Sequence, residues 1–350
     1  MSVQGQQQQR ENDEPAQRNA VLRQANVTEQ SLTEAAQEAQ AANRVRVMKF
    51  GGSVLTSAGS LMDAAAHAVR AAETERVAVV VSALRGITDR LYSVTRALRM
   101  RDAATALVEA EEIAQLHLHV GRQLFSDAEQ EFQFRLELAE LAHALDLVVR
   151  HAGHGESPLE MTDEVVSFGE RLSARIFAAA LRKLGAHAEA LDAFEFIVTD
   201  GDREDPHPRL EESYQKTREA LDPYFLMGTI PVVTGFVAST PEGRITTLGR
   251  NSSDYSAAIV ACALGARDVT IWSNVAGFFN ADPHQNADAQ WIARLSYEEA
   301  MELARNGARV VHPKAFKFLM QERIPLLVRS ATNVDAPGTW VGHVESGGTR

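Results

Sequence analysis

A single cysteine, Cys262, stands among 350 residues. That excludes an internal disulfide and a cysteine-rich zinc site, and it suits a reducing cytoplasm. Basic residues are the minority charge: 35 Lys and Arg against 47 Asp and Glu leave −12. Such a balance argues against a chain built to neutralise nucleic-acid phosphates or to lie on an anionic membrane, so any basic site must be local. No apolar run approaches the roughly 20 residues that span a bilayer. The first 43 residues lack the apolar stretch of a secretory signal, and Glu11, Asp13, Glu14, Glu29, Glu34 and Glu38 are out of place in a transit peptide. Neither a Walker A run nor a GxGxxG fingerprint occurs. The expectation is a cytoplasmic, soluble protein with no nucleic-acid or membrane partner.

The hydrophobic content of 45% and charged content of 23% are those of a globular enzyme. The length exceeds the roughly 250–300 residues at which one core stops growing, which predicts two lobes. Residues 1–43, opened by Gln6 to Gln9, read as a mobile tail with a weak helix from Thr28 to Ala42. Order is expected from Val45–Phe50, a short β-rich run stopped by Gly51-Gly52. A helix comes next over 61–72, then the continuous apolar run Val77–Ser82, of the kind found in parallel strands covered on both faces. Residues 89–150 read as a helical hairpin, 165–184 as a helix and Ala188–Leu191 as a strand. The alternation continues with strand Ile230–Thr234, helix Asp254–Leu264, strand Val269–Trp272, helices Tyr297–Asn306 and Pro313–Glu322, and strand Leu326–Arg329. This order predicts an α/β fold with a mostly parallel sheet covered on both faces.

Two runs carry chemistry. In Lys49-Phe50-Gly51-Gly52-Ser53 a lysine ends the first strand and two glycines let backbone N–H groups approach an anion. A strand-to-helix turn with a surface lysine fits the same residues. In Thr247-Leu248-Gly249-Arg250-Asn251-Ser252-Ser253-Asp254-Tyr255-Ser256-Ala257-Ala258, small polar residues sit where a loop becomes a helix, and Arg250 offers a two-pronged donor for a carboxylate. The plainer reading is Ser253 or Asp254 as an N-cap with Arg250 in water.

These runs, together with Val80–Asp89, Ser167-Phe168-Gly169-Glu170-Arg171-Leu172, Val233-Thr234-Gly235-Phe236, Ala281-Asp282-Pro283, Leu295–Ala300 and Pro337-Gly338-Thr339, resemble the aspartate kinases of the amino acid kinase family in order and spacing. The resemblance covers about residues 45–342 and is nearest to the aspartokinase part of bifunctional aspartokinase–homoserine dehydrogenases. It implies an eight-stranded αβα sandwich with a helical hairpin insertion. The kinase domain would span 44–342, with an amino-acid lobe over about 44–225 and a nucleotide lobe over about 226–342, then a tail over 343–350. It also implies Mg-ATP as phosphoryl donor and the side-chain carboxylate of L-aspartate as acceptor. On this reading Lys49 contacts the transferring phosphoryl group and Asp254 orients Lys49. Arg250 holds a carboxylate of aspartate, Glu170 holds its ammonium, and Ser82 belongs to the same substrate site. Gly51, Gly52 and Ser53 form the phosphate-facing turn. Ser273, Asn274, Phe279, His284 and Arg309 fall at nucleotide-side positions, and no protein-held metal is expected.

The run departs from the family on the nucleotide side. Trp-Thr-Asp-Val-Asp-Gly is here Trp272-Ser273-Asn274-Val275-Ala276-Gly277, Asp-Pro-Arg is Asp282-Pro283-His284, and the lysine before Val-Leu-His-Pro is Arg309. Two readings are open: an active kinase of aspartate or another small carboxylate that holds ATP through altered contacts, with Arg309 or Lys314 substituting, or an amino-acid or partner-binding protein without turnover. A homo-oligomer or a regulatory partner is left open. The chain reaches Arg350 before the ACT domains of aspartokinases would begin, so an effector site for lysine or threonine is not expected. The histidines His117, His119, His143, His151 and His154 lack ligand spacing and read as surface and hairpin residues, and Cys262 as a packed thiol.

Overall fold

The structure is a computed structural model that describes residues 44–125, 128–154, 161–281, 286, 288–306, 310–333 and 335–343. The tail expected at 1–43, its helix, and residues 344–350 lie outside the described residues, as do the site candidates His284 and Arg309. The described strands and helices all belong to the compact unit that starts at Val45.

Twelve strands are described: β1 (Val45–Phe50), β2 (Arg76–Val81), β3 (Ala188–Leu191), β4 (Ile230–Thr234), β5 (Val237–Ser239), β6 (Ile245–Thr247), β7 (Asp268–Ser273), β8 (Phe278–Phe279), β9 (Trp291–Ile292), β10 (Arg294–Leu295), β11 (Leu326–Ser330) and β12 (Thr339–Val341). Eight form one sheet in the order β10-β12-β11-β7-β1-β2-β4-β3, with β5-β6 and β8-β9 as separate pairs. Every neighbour in the large sheet runs parallel except β11 and β12. The expected eight-stranded, mostly parallel sheet is thus present.

The run of β2 has no polar alternation after Arg76 because both faces are covered, and β1 is apolar except for Arg46 and Lys49. Met48, Phe50, Val77, Val79 and Val81 enter one core with α1 (Ala58–Ala72), α2 (Ile87–Arg99) and α5 (Thr162–Lys183). Val45, Val47, Ala78 and Val80 enter the opposite core with α7 (Ser253–Leu264) and α9 (Pro313–Gln321). Each valine, methionine or phenylalanine among them, fully buried, contributes roughly 1.5–3 kcal/mol. This is the αβα sandwich that the strand–helix alternation predicts.

The expected hairpin over 89–150 is three helices, α2, α3 (Ala103–Arg122) and α4 (Ala128–His154). The chain breaks after α2 because Arg101 takes φ 60° and Asp102 caps α3, accepting from the Thr105 N–H at 3.0 Å. His117 lies in the hairpin region as read but not at the surface: it is fully buried on α3, its Nδ1 bonded to the Ile113 carbonyl at 2.7 Å. Burial lowers its pKa to about 4. Cys262 is buried as expected, and burial pushes its thiol up to about 12. The remaining helices are α6 (Leu210–Leu226) and α8 (Tyr297–Arg305). Helix α6 is absent from the sequence expectation, since its buried stripe includes Ser213 and Thr217 and breaks the apolar period.

Candidate active site

The carboxyl ends of β1, β2 and β7 lie side by side, and in open α/β sheets ligands bind at that edge. A cavity of about 740 Å³ opens there, within the roughly 300–1,000 Å³ range of small-molecule sites. Lys49 lies at the end of β1, Ser82 just after β2 and Ser273 at the end of β7, so three strand ends bring candidates from distant parts of the chain to one wall.

The Gly-Gly turn is required by a close approach. A Cβ on Gly52 would stand 2.8 Å from the Ala83 carbonyl oxygen, closer than any side chain permits. Ala83 meets a second glycine too, because a Cβ on Gly169 would lie 2.9 Å from that of Ala83. With no side chain at 169, α5 comes near enough for Glu170 Oε1 to accept the Ala83 N–H at 3.1 Å.

Glu170 is 3% exposed, and its Oε2 has no hydrogen-bond partner among the described residues. Burial pushes its carboxyl up to about 8, against the Ala83 N–H and the charge of Lys49, which pull it down. A buried carboxylate oxygen left open toward a cavity is costly in the free protein and suits an incoming cation.

Lys49 Nζ stands 2.6 Å from Asp254 Oδ1, an ion pair with both side chains largely buried. The other oxygen, Oδ2, accepts the His312 N–H at 2.9 Å. Asp254 lies in the first turn of α7, yet no side chain caps that helix. The plain N-cap reading of Ser253 or Asp254 therefore fails, because the carboxylate is turned to Lys49 and to the start of α9. There His312 is the N-cap, its Nδ1 accepting from the Lys314 N–H, with Pro313 as the first helical residue.

Arg250 sits at the mouth. Its Nη2 is 2.6 Å from Asp89 Oδ1 and its guanidinium lies 4.7 Å from the centre of the Tyr92 ring, with both members of the ion pair exposed. Two lining residues hold the left-handed backbone that side chains rarely adopt, Phe236 (φ 67°) and Asn251 (φ 62°). Phe236 is pinned from both sides, its N–H donating to Ser256 Oγ and its carbonyl accepting from Leu248, each at 2.8 Å. Backbone strain of this kind persists where the surroundings over-determine it, and it gathers at functional sites.

Among the sequence candidates the cavity brings together Lys49, Gly51, Gly52, Ser53, Ser82, Glu170, Arg250, Asp254, Ser273 and Asn274. Phe279, in the small β8-β9 pair, does not line it. Lys314, a candidate stand-in on the nucleotide side, does not line it either and pairs with Asp205 at 2.5 Å. Arg85, Asp89, Phe236, Asn251 and His312 line the cavity and are not among the sequence candidates. All five lie in or beside quoted motifs, but nothing in a sequence shows that Asp89 reaches Arg250, 161 residues away.

Residues 44–330 match the amino acid kinase family. Over 300 residues the chain is 33% identical to the bifunctional aspartokinase/homoserine dehydrogenase 2, chloroplastic, of Zea mays, covering 84% of this chain and 32% of that one. Over 323 residues it is 33% identical to aspartokinase 1, chloroplastic, of Arabidopsis thaliana, covering 89% and 54%. The chain thus spans about a third to a half of the length of these relatives. Both are chloroplastic, so they do not share the cytoplasmic setting expected from the sequence. No described helix is long and apolar enough to cross a membrane. Among solved structures, E. coli aspartokinase III in complex with aspartate and ADP superposes with a TM-score of 0.76 at 30% identity, covering 86% of this chain and 65% of that one. Sheet order, the cavity at the strand ends and these matches agree: the chain belongs to the amino acid kinase family.

Proposed function

We propose that this protein transfers the γ-phosphoryl group of ATP to the side-chain carboxylate of L-aspartate, giving 4-phospho-L-aspartate and ADP. The observation that carries this reading is the placing of Glu170, buried with one oxygen open, on the same cavity wall as Lys49 and the Gly51-Gly52 turn. A cation-seeking carboxylate beside an anion-seeking lysine and turn suits a substrate with an ammonium at one end and a phosphoryl acceptor at the other. Arg250 supplies the second carboxylate contact by exchanging Asp89 for the ligand. The names of the aspartokinase relatives, and aspartate and ADP in the E. coli protein, support the same assignment.

The acceptor carboxylate has a pKa near 3.9 and is ionised at neutral pH, so no general base is needed. One of its oxygens bonds to the γ-phosphorus as the bond to the bridging oxygen breaks, and that electron pair leaves with ADP. The protein's task is to align two anions and to offset their repulsion. Lys49, held by Asp254, approaches the phosphoryl oxygens, and the Gly51-Gly52-Ser53 turn presents backbone N–H groups.

No group of three or more His, Cys, Asp or Glu side chains gathers as a cation cage among the described residues. Mg²⁺ brought by the phosphates would keep most of its water, and the side-chain oxygens of Ser273 and Asn274 on the cavity lining would help to hold it. When bound, the ion offsets phosphate charge. The amino-acid lobe (about 44–225) and the nucleotide lobe (about 226–342) are proposed as functional halves of one continuous sheet.

A second reading, an amino-acid binder without turnover, draws on the uncharged lining at Ser273 and Asn274. Coupled ADP release with aspartate, plus hydroxylamine trapping of the acyl phosphate, separates the two. Aspartate-dependent release is expected, and its absence with Mg-ATP, Mg-GTP and Mn-ATP alike would overturn the kinase reading.

A further inference from the structure

The charges lining the cavity are unequally committed. Three described cations line it, Lys49, Arg85 and Arg250, and three carboxylates, Asp89, Glu170 and Asp254. Lys49 is paired with Asp254 and Arg250 with Asp89. His312 does not add to the positive side, since burial lowers its pKa. Arg85 is exposed and makes no ion pair among the described residues. It is the described lining cation whose charge no described carboxylate answers.

Its backbone is anchored, while no described residue pairs with its guanidinium. The Arg85 N–H donates to the Leu55 carbonyl at 3.1 Å, which ties it to the segment following the Gly-Gly turn. A Cβ on Gly52 would stand 3.8 Å from both the Arg85 nitrogen and its Cα, so its backbone lies directly against that turn. Gly86 at φ 82° then swings the chain into α2, toward Asp89. Arg85 therefore stands where the phosphate-facing turn meets the mouth.

We infer that Arg85 binds the transferring phosphoryl group, as an arginine supplied from within the chain. This rests on the kinase reading above and assigns a residue to it. Bringing a triphosphate beside an aspartate adds several negative charges to a lining whose other cations are already matched. A planar guanidinium donates to two phosphoryl oxygens at once, and its charge acts most as the γ-phosphorus passes from the bridging oxygen to the carboxylate oxygen. Exposure keeps the side chain mobile in the free protein, and the ligand orders it.

The test pairs Arg85→Ala with Arg85→Lys in the full chain, both expected to melt with the wild type because the side chain is exposed. Arg85→Ala should lower kcat about 100-fold while the aspartate KM stays within about threefold, and Arg85→Lys should recover part of kcat but not all. Calorimetric titration with Mg²⁺ and the non-hydrolysable ATP analogue AMP-PNP should show binding about tenfold weaker in Arg85→Ala than in the wild type, with aspartate affinity unchanged. The titration decides the matter even if the wild type shows no turnover, so failure of the kinase reading stays distinguishable from failure of this one. Unchanged analogue affinity in Arg85→Ala, a wild type that does not bind the analogue, or a loss confined to aspartate affinity would each overturn the assignment.

Discussion

Two ion pairs of the same length face one cavity. Lys49–Asp254 and Arg250–Asp89 both close at 2.6 Å, but the first has side chains 11% and 9% exposed and the second 59% and 76%. The buried pair is held by its surroundings, since the second oxygen of Asp254 is taken by the start of α9 and both side chains are largely shielded from solvent. Removing one member there leaves an unanswered charge in a poor dielectric. The exposed pair is screened by water and worth at most about 1 kcal/mol, so a competing carboxylate displaces it easily. The same contact is thus a fixed part of the machinery in one place and an exchangeable placeholder in the other.

The largest break in this comparison is expected at Lys49. Lys49→Ala should lower kcat about 1,000-fold through loss of charge at the transferring group, and should cost about 3 kcal/mol of stability by stranding Asp254. Urea melts alongside ADP-release assays check both parts. An unchanged kcat would remove Lys49 from its role, and an unchanged midpoint would show that water reaches Asp254 in the folded protein.

Glu170→Gln should separate function from stability. The folded carboxyl titrates at about 8 against an ordinary 4.5. The folded state therefore holds a proton that the unfolded chain releases, and the stability this provides is full below about pH 4.5 and lost as pH rises toward 8. A glutamine carries no such proton linkage. The variant should bind aspartate at least about tenfold more weakly, yet melt roughly 2–4 °C higher at pH 8, with the gain shrinking toward pH 5. Binding of an ammonium to the ionised form should also release a proton in the wild type at pH 7, seen as a buffer-dependent calorimetric heat. Equal heats in buffers of different ionisation enthalpy would contradict that.

The smallest effect sharpens the other half. Asp89→Asn frees Arg250 without touching the buried pair, so the aspartate KM should fall about twofold to fivefold while the melting temperature stays put, the pair contributing well under 1 kcal/mol. Steady-state titration of aspartate at two salt concentrations reads this directly. A rise in KM would mean that Asp89 holds Arg250 in its working position and does not compete with the ligand.

Much of the scaffold is legible in the sequence because it rests on local rules. The apolar run after Arg76 lacks polar alternation, as a strand covered on both faces does, and Gly265 ends α7 in the left-handed conformation that glycine permits. The expected strand Ala188–Leu191 has the observed bounds. Helix α6 and the short pairs β5-β6 and β8-β9 are not legible, because two-residue and three-residue strands carry no period and the buried stripe of α6 includes two hydroxyl residues, Thr217 and Ser213, the latter hydrogen-bonded to Val198. At the site, residue types in the motifs point to Lys49, Glu170, Arg250 and Asp254. The partnerships do not show, since Lys49 and Asp254 lie in motifs 205 residues apart.

The amino-acid sequence by itself determined the alternation of strands and helices, the double covering of the sheet and the kind of side chain available to the site, because each comes from short-range periodicity and from motif chemistry. Tertiary structure alone decided which charges are spent and which are open. Packing of α5 on Ala83 through Gly169 leaves Glu170 buried with one oxygen free, the start of α9 fixes the far side of Asp254, and solvent at the mouth makes the Arg250–Asp89 pair exchangeable. Burial and long-range contact set the energy of a charge, and neither is written in the residues next to it.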